Sequence, residues 1–186
     1  MTIVNTEYKD GSYDEIVTPT RFYNTDTRRN HEWFQSEFRY NSQGQLHTEN
    51  DIPSVRTFTY TPDIPSPDGT TVTPGVQILE LEQYHKNGVI HRSNNLPAYI
   101  YMEPMDPLSP IHYVTHKIWK VNGKYFRSNG CSHEIYRSVP LQSKFPTVLM
   151  YEGWRDESGE LELENFLETT YSYKMKELQW KTVKHR

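Results

Sequence analysis

Apolar and aromatic residues stand at alternate positions in short runs, and the runs are cut by Gly, Asn, Asp or Pro. An alternation of period two puts successive side chains on opposite faces of an extended chain, so such runs read as half-buried strands. The pattern predicts strands at 7–9, 33–40, 45–47, 55–60, 76–85, 89–91, 98–102, 113–121, 125–127, 135–136, 148–154 and 160–163, with few helical residues.

The runs are related to one another. Gln43-Gly44-Gln45-Leu46-His47 with Pro53, and Asn87-Gly88-Val89-Ile90-His91 with Pro97, carry Gly, a branched residue, His and Pro at offsets of zero, two, three and nine. Asn122-Gly123-Lys124-Tyr125-Phe126-Arg127 repeats the turn and strand, with Phe126 in the place of His and Ser132 in the place of Pro. Asp10-Gly11 and Ser158-Gly159 suggest outer copies. The glycines at 11, 44, 88, 123 and 159 lie 33, 44, 35 and 36 residues apart, a period near 35 with an insertion between the second and third. A lone hairpin cannot bury a core, so a period of this kind implies that each hairpin continues on its neighbour.

Two-residue hairpin turns need positive φ, which Asn-Gly and Asp-Gly adopt cheaply. Such a turn at 87/88 pairs Lys86 with Val89, His85 with Ile90 and Tyr84 with His91; at 122/123 it pairs Val121 with Lys124, Lys120 with Tyr125 and Trp119 with Phe126. An aromatic pair then stands where His91 stands in the earlier copy, which favours packing over chemistry at that position. His47 and His91 are expected in equivalent sites, each ring beside the preceding hairpin with a nitrogen bonded to the loop leading to Pro53 or Pro97.

The string Tyr84-His85-Lys86-Asn87-Gly88-Val89-Ile90-His91-Arg92, followed by Pro97-Ala98-Tyr99-Ile100, resembles the short Asn-Gly...His-Arg...Pro-Ala repeats of small phage and large-DNA-virus proteins. These are similar to the MORN-type hairpin repeats of the YwqK-like antitoxin family. The resemblance covers roughly 38–58 and 81–101, and more weakly 116–136; Thr48 stands where the second copy has Arg92. It implies an all-β antiparallel sheet of irregular MORN-like hairpin repeats, used as a scaffold or binding surface without a shared catalytic centre.

Two Pro-rich breaks interrupt the pattern, 61–75 between the first two clear copies and 103–110 after the second. The first reads as a surface loop or small flap, since its prolines cannot sit in a central sheet. The 186 residues fit one domain, with a division near 105 left open.

Composition adds an aromatic bias. Only 34% of residues are hydrophobic, yet 14 Tyr, 7 Phe and 4 Trp are present, which suits thin sheets with large solvated faces and disfavours disorder. The segment 1–7 has neither a basic start nor an apolar run, and no stretch approaches 18 apolar residues; the expectation is a cytoplasmic protein, in a host cytoplasm if viral, without membrane contact. The net charge is −4, with an acidic stretch at 156–168 and a basic element at 174–186 that could close the chain as a short helix or a last strand. The acidic body opposes nonspecific attraction to nucleic acid.

Catalytic constellations are sparse. His85 and His91 face opposite sides of their hairpin, and His112 and His116 in a strand stand about 13 Å apart, too far for one ion. Cys131 is the sole cysteine, so neither an internal disulfide nor a cysteine-rich zinc site can form, and Cys131-Ser132-His133 looks like a loop more than a nucleophile pair. No phosphate loop, serine elbow or His-Glu-x-x-His pattern occurs, so no catalytic residue, metal ligand or cofactor is assigned. The leading reading is a noncatalytic scaffold for a protein partner or a second copy, with Tyr84, His91, Arg92, Tyr99, Tyr101, Trp119, Tyr125 and Arg127 as binding residues. The alternative is a small-ligand or nucleotide binder, or an enzyme on an irregular β scaffold, using Arg92, Arg127, Arg137 and His133 beside stacking aromatics.

Overall fold

The structure, a computed structural model, describes residues 2–18, 33–60, 64–66, 68–73, 77–104, 112–138, 147–171 and 176–185. It is all-β, built from repeated antiparallel hairpins, and no described residue is helical. Chain contacts divide it into two compact units, Met1–Gly88 with Met102–Tyr113, and Val89–Tyr101 with Val114–Arg186.

The first unit contains β1 (Thr2–Glu7), β2 (Tyr13–Thr18), β3 (Trp33–Tyr40), β4 (Val55–Tyr60), β5 (Ile64–Pro65), β6 (Val72–Thr73), β7 (Gln77–Gln83) and β8 (His85–Lys86). Its sheet runs β1-β2-β3-β4-β7, every neighbour antiparallel. The second unit begins at β9 (Val89–Ile90). It takes in parts of β10 (Tyr99–Pro104) and β11 (His112–Ile118), then β12 (Lys120–Val121), β13 (Lys124–Tyr125), β14 (His133–Ser138), β15 (Thr147–Arg155), β16 (Leu161–Tyr171) and β17 (Lys176–Lys184). Here β11, β14, β15, β16 and β17 pair in that order.

The five glycine turns fall into two kinds. At Asn87-Gly88 and Asn122-Gly123 both residues have positive φ, 49° and 79° in one and 50° and 82° in the other, the two-residue turn expected. Val121 pairs with Lys124 and Lys120 with Tyr125, as the alternation required. At Gly11, Gly44 and Gly159 the turn is longer. The glycine N–H donates to the carbonyl three residues back, Tyr8, Asn41 or Asp156, and that residue's N–H donates to the carbonyl after the glycine. Asn41 and Asp156 brace their turns by accepting two backbone N–H groups each through Oδ1. The outer copies are therefore hairpin turns of the same kind as the one at Gly44.

Three small residues carry the connection from each loop into the next strand. The N–H groups of Ser54, Ala98 and Ser132 donate to the carbonyls of Gln83, Ile118 and Gly153 at 2.8–3.0 Å, and all three side chains are buried. Close strand approach there leaves no room for a larger group. The buried hydrophobic side chains among the described residues are Val55, Ile78, Tyr84, Ala98, Trp119 and Cys131. Most other strand side chains stay half-exposed, as a thin sheet requires.

Several boundaries differ from the alternation pattern. The strand expected at 7–9 ends at Glu7, because Tyr8 opens the turn through its bond to Ser12; β2 went unpredicted. The described part of 61–75 is a separate hairpin, Ile64 paired with Thr73 and Pro65 with Val72, and Pro65 stays outside the main sheet. Most of the second break, 105–110, lies outside the described residues. The basic C-terminal element is strand β17, set antiparallel against acidic β16 from Leu163↔Lys184 to Tyr171↔Lys176. In that register Lys181 stands opposite Phe166, its ammonium 5.6 Å from the ring centroid, and beyond the strand His185 meets Glu164 at 3.0 Å.

Candidate functional site

The repeated histidines form links between copies. His91 Nδ1 accepts the Asn122 N–H at 3.0 Å, which fixes the proton on Nε2. His47 Nδ1 stands 3.0 Å from Asn87 Oδ1 and 3.4 Å from Asn87 N. Equivalence of the two sites holds, but the partner is the turn of the following hairpin, not the loop leading to Pro53 or Pro97. The same turns are held through the backbone, with Gly88 N–H donating to Leu46 O and Gly123 N–H to Ile90 O, both at 2.8 Å. His meets Asn because an Asn at positive φ turns its N–H outward, where the preceding copy's ring reaches it.

The arginines that follow brace loops. Arg92 Nη1 donates to Pro97 O at 3.0 Å, and Arg127 Nη1 donates to Cys131 O at 3.2 Å. Arg127 also lies 3.8 Å over the Trp119 ring and pairs with Glu134 at 2.5 Å. Tyr136 OH donates to the other oxygen of Glu134. The guanidinium, rather than Phe126, covers the indole; Phe126 is 55% exposed, so the expected packing role at that position does not hold in the third copy. Burial, with Glu134 and Glu152 nearby, pushes the Cys131 thiol up to about 11. A buried, protonated thiol is a poor nucleophile.

Of the remaining binding candidates, Tyr84 is buried, and Trp119 donates its Nε1–H to Asn95 O at 3.0 Å. Tyr125 takes Lys120 on its ring at 4.4 Å, with Arg155 at 5.5 Å. Tyr99 and Tyr101 are half-exposed on β10. The Arg137 side chain lies outside the described residues. Among these candidates Trp119 and Arg127 meet, Arg92 braces its own loop, and Tyr101 belongs to another group.

That group is a row across the second unit. Tyr101 and His116 have ring centroids 6.0 Å apart, His116 and His133 6.0 Å, and His133 and Tyr151 5.5 Å, on β10, β11, β14 and β15. All four rings are half-exposed. Tyr151 leans over Gly153, whose added Cβ would come within 2.7 Å of the phenol oxygen. Burial first, then His116 and Arg155, holds His133 down to about 4, so the ring is neutral, and its Nε2 has no hydrogen-bond partner.

A third feature is a hollow of about 570 Å³ in the first unit, bordered by Tyr8, Asp14, Arg39, Tyr40, His47 and Glu49 among others. Asp14 and Arg39 face each other from β2 and β3 in a fork, Nε–Oδ1 2.8 Å and Nη2–Oδ2 2.9 Å. The Arg39 contact holds the Asp14 carboxyl below its ordinary range. Tyr8 donates its hydroxyl to Asp14 at 2.9 Å, which raises its own pKa. Sequence reasoning missed this feature because Asp14 and Arg39 meet only through strand pairing. No three His, Cys, Asp or Glu side chains among the described residues group as metal ligands. No helix of the described residues is long and apolar enough to cross a membrane. No family model, curated protein or solved structure matches the chain.

Proposed function

We propose that this chain is a noncatalytic interaction scaffold of the MORN-like hairpin-repeat type, a phage or viral accessory protein working in a host cytoplasm, able to self-associate and to hold a protein partner. The observation that supports the reading is the half-exposed row Tyr101, His116, His133 and Tyr151. Aromatic rings at this spacing offer a large contact area at small rotamer cost, and His133 and Tyr151 are preset by their neighbours. The arginines and the repeated histidines, by contrast, are occupied in holding loops and turns.

The test is affinity capture from the source cell with the full chain and with a Tyr101→Ala/Tyr151→Ala variant, followed by mass spectrometry and light scattering. A protein recovered in stoichiometric amount by the native chain and lost with the variant is expected. Recovery of no protein, or equal recovery by both chains, overturns the reading.

A further inference from the structure

We propose that Asn129 is a self-modifying site, at which the chain closes a succinimide ring with Gly130 and reopens it as aspartate or isoaspartate, a property separate from the binding reading above. Asn129-Gly130 is one of three Asn-Gly pairs in the chain, with Asn87-Gly88 and Asn122-Gly123. In each pair the glycine nitrogen can give its proton to water and attack the asparagine Cγ. A C–N bond forms, the Cγ–Nδ2 bond breaks, and Nδ2 leaves as ammonia with a proton returned from water. Water then adds to either ring carbonyl and cleaves its bond to the shared nitrogen. One opening gives aspartate; the other gives isoaspartate, whose backbone runs through Cγ. Glycine favours the attack because no Cβ crowds its nitrogen.

What separates the three pairs is the state of the glycine N–H. Gly88 N–H is bonded to Leu46 O and Gly123 N–H to Ile90 O, both at 2.8 Å. A nitrogen tied in this way must break its bond before it reaches Cγ. Asn87 is held at its other end as well, its Oδ1 lying 3.2 Å from Asn41 Nδ2 and 3.0 Å from His47 Nδ1. The two Asp-Gly pairs, which can close the same ring, are tied alike, Gly11 N–H to Tyr8 O at 3.0 Å and Gly69 N–H to Ser66 O at 2.9 Å. Gly130 N–H donates to no group among the described residues, and the Asn129 carboxamide has no partner among them. Both residues are exposed in a bend between strands, so water reaches the nitrogen as a base and the ring as a nucleophile.

The products fall on the loop that Arg127 closes. A Cβ at Gly130 would lie 3.4 Å from the guanidinium carbon, so the new carboxylate arises one residue from backbone packed on that cation. It adds a negative charge to a chain already at −4. The isoaspartate product also inserts one carbon into the backbone between Arg127 and Cys131, whose carbonyl accepts the Arg127 Nη1 bond at 3.2 Å. The earlier loop, with Asn94-Asn95-Leu96 in its middle, holds no Asn-Gly pair and is spared.

The experiment is peptide mapping by mass spectrometry of the full chain, incubated at mildly alkaline pH and body temperature, once folded and once in guanidinium chloride. In the folded chain Asn129 is expected to convert about fivefold faster than Asn122, the difference made by one hydrogen bond on the nucleophile. Asn87, held at both ends, should be slowest. Isoaspartate should appear beside aspartate at 129, the mark of a ring intermediate over direct hydrolysis. In denaturant the three rates should converge, because the ties that separate them are gone. Asn129→Gln, a change at an exposed side chain without partners, should fold normally and lose the product at that position alone. No conversion at Asn129, conversion as fast at Asn122 or Asn87 in the folded chain, aspartate without isoaspartate, or the same ratio of rates in denaturant overturns the proposal.

Discussion

Two loops of the second unit follow one plan and reach different depths of commitment. In the loop from His91 to Ala98, Arg92 closes the turn by reaching the Pro97 carbonyl, and Asn94 and Asn95 take φ of 60° and 57°. In the loop from Phe126 to Ser132, Arg127 reaches the Cys131 carbonyl, Gly130 takes φ of 106°, and the connection is one residue shorter. The difference lies in what surrounds the guanidinium. Arg127 has an indole face and a carboxylate whose side chain is only 10% exposed. The same hydrogen bond closes both loops, and at Arg127 it is joined to a buried polar group. A glycine-to-arginine offset of four describes both loops, whereas the glycine-to-proline offset describes only the earlier one.

The contrast is broken most severely at the arginines. Arg127→Ala should cost about 3 kcal/mol, because it leaves Glu134 nearly buried without its cation, while Arg92→Ala should cost about 1 kcal/mol. Urea denaturation of both variants measures the gap, and equal losses would show that the buried carboxylate adds nothing to the Arg127 loop bond.

Next comes Gly130→Ala. Its φ is unfavourable for a side chain, and the added Cβ would lie 3.4 Å from the Arg127 guanidinium. A loss of about 2 kcal/mol is expected. Asn94→Gly at the other loop, where φ is 60°, should change stability by only a few tenths of a kcal/mol. Thermal denaturation distinguishes them.

A smaller effect separates the strands that leave the two loops. His133 follows Ser132 where Tyr99 follows Ala98. The folded chain keeps the His133 ring neutral down to about 4, against 6.5 when free, so only the unfolded chain gains a proton as the pH falls below 6.5. The contribution is intact above 6.5 and is lost progressively toward pH 4. Allowing for partial exposure of the ring, about 1 kcal/mol is at stake. His133→Tyr should flatten that part of the stability–pH curve; an unchanged curve would place the ring in solvent.

The smallest expected change is at the link between copies. His91→Ala removes the acceptor for the Asn122 N–H and should cost about 0.5–1 kcal/mol. Faster hydrogen exchange at Asn122, with little change at Gly123, is the expected signature, because Gly123 is bonded separately to Ile90.

The fold was legible wherever a local rule set it. Asn87-Gly88 and Asn122-Gly123 declared their turns because positive φ at two adjacent positions restricts the residues that fit. The longer turns were also marked, by Asn41 and Asp156 three residues before their glycines, although those signals look like ordinary polar residues until their oxygens are seen bracing backbone N–H groups. The partner of His91 was not legible, since Asn122 lies 31 residues away and reaches it by stacking of hairpins. Nor was the hollow, whose Asp14 and Arg39 are 25 residues apart and meet across β2 and β3. Aromatic content correctly indicated a thin sheet with exposed rings, but not that Tyr84 and Trp119 would be buried while Tyr101 and Tyr151 joined a surface row.

The bonds from Gly88 to Leu46 and from Gly123 to Ile90 have the same length, although the chain joining the first pair carries the extra hairpin β5–β6. Registration between successive hairpins is thus independent of how much chain runs between them. Loop-closure entropy grows slowly, by about 0.6 kcal/mol for each doubling of length. Lineages carrying this fold could gain or shed material between Pro65 and Val72 with little penalty, and a foreign epitope grafted at that hairpin's tip would ride on the sheet as cargo while the glycine-to-carbonyl bonds kept their spacing.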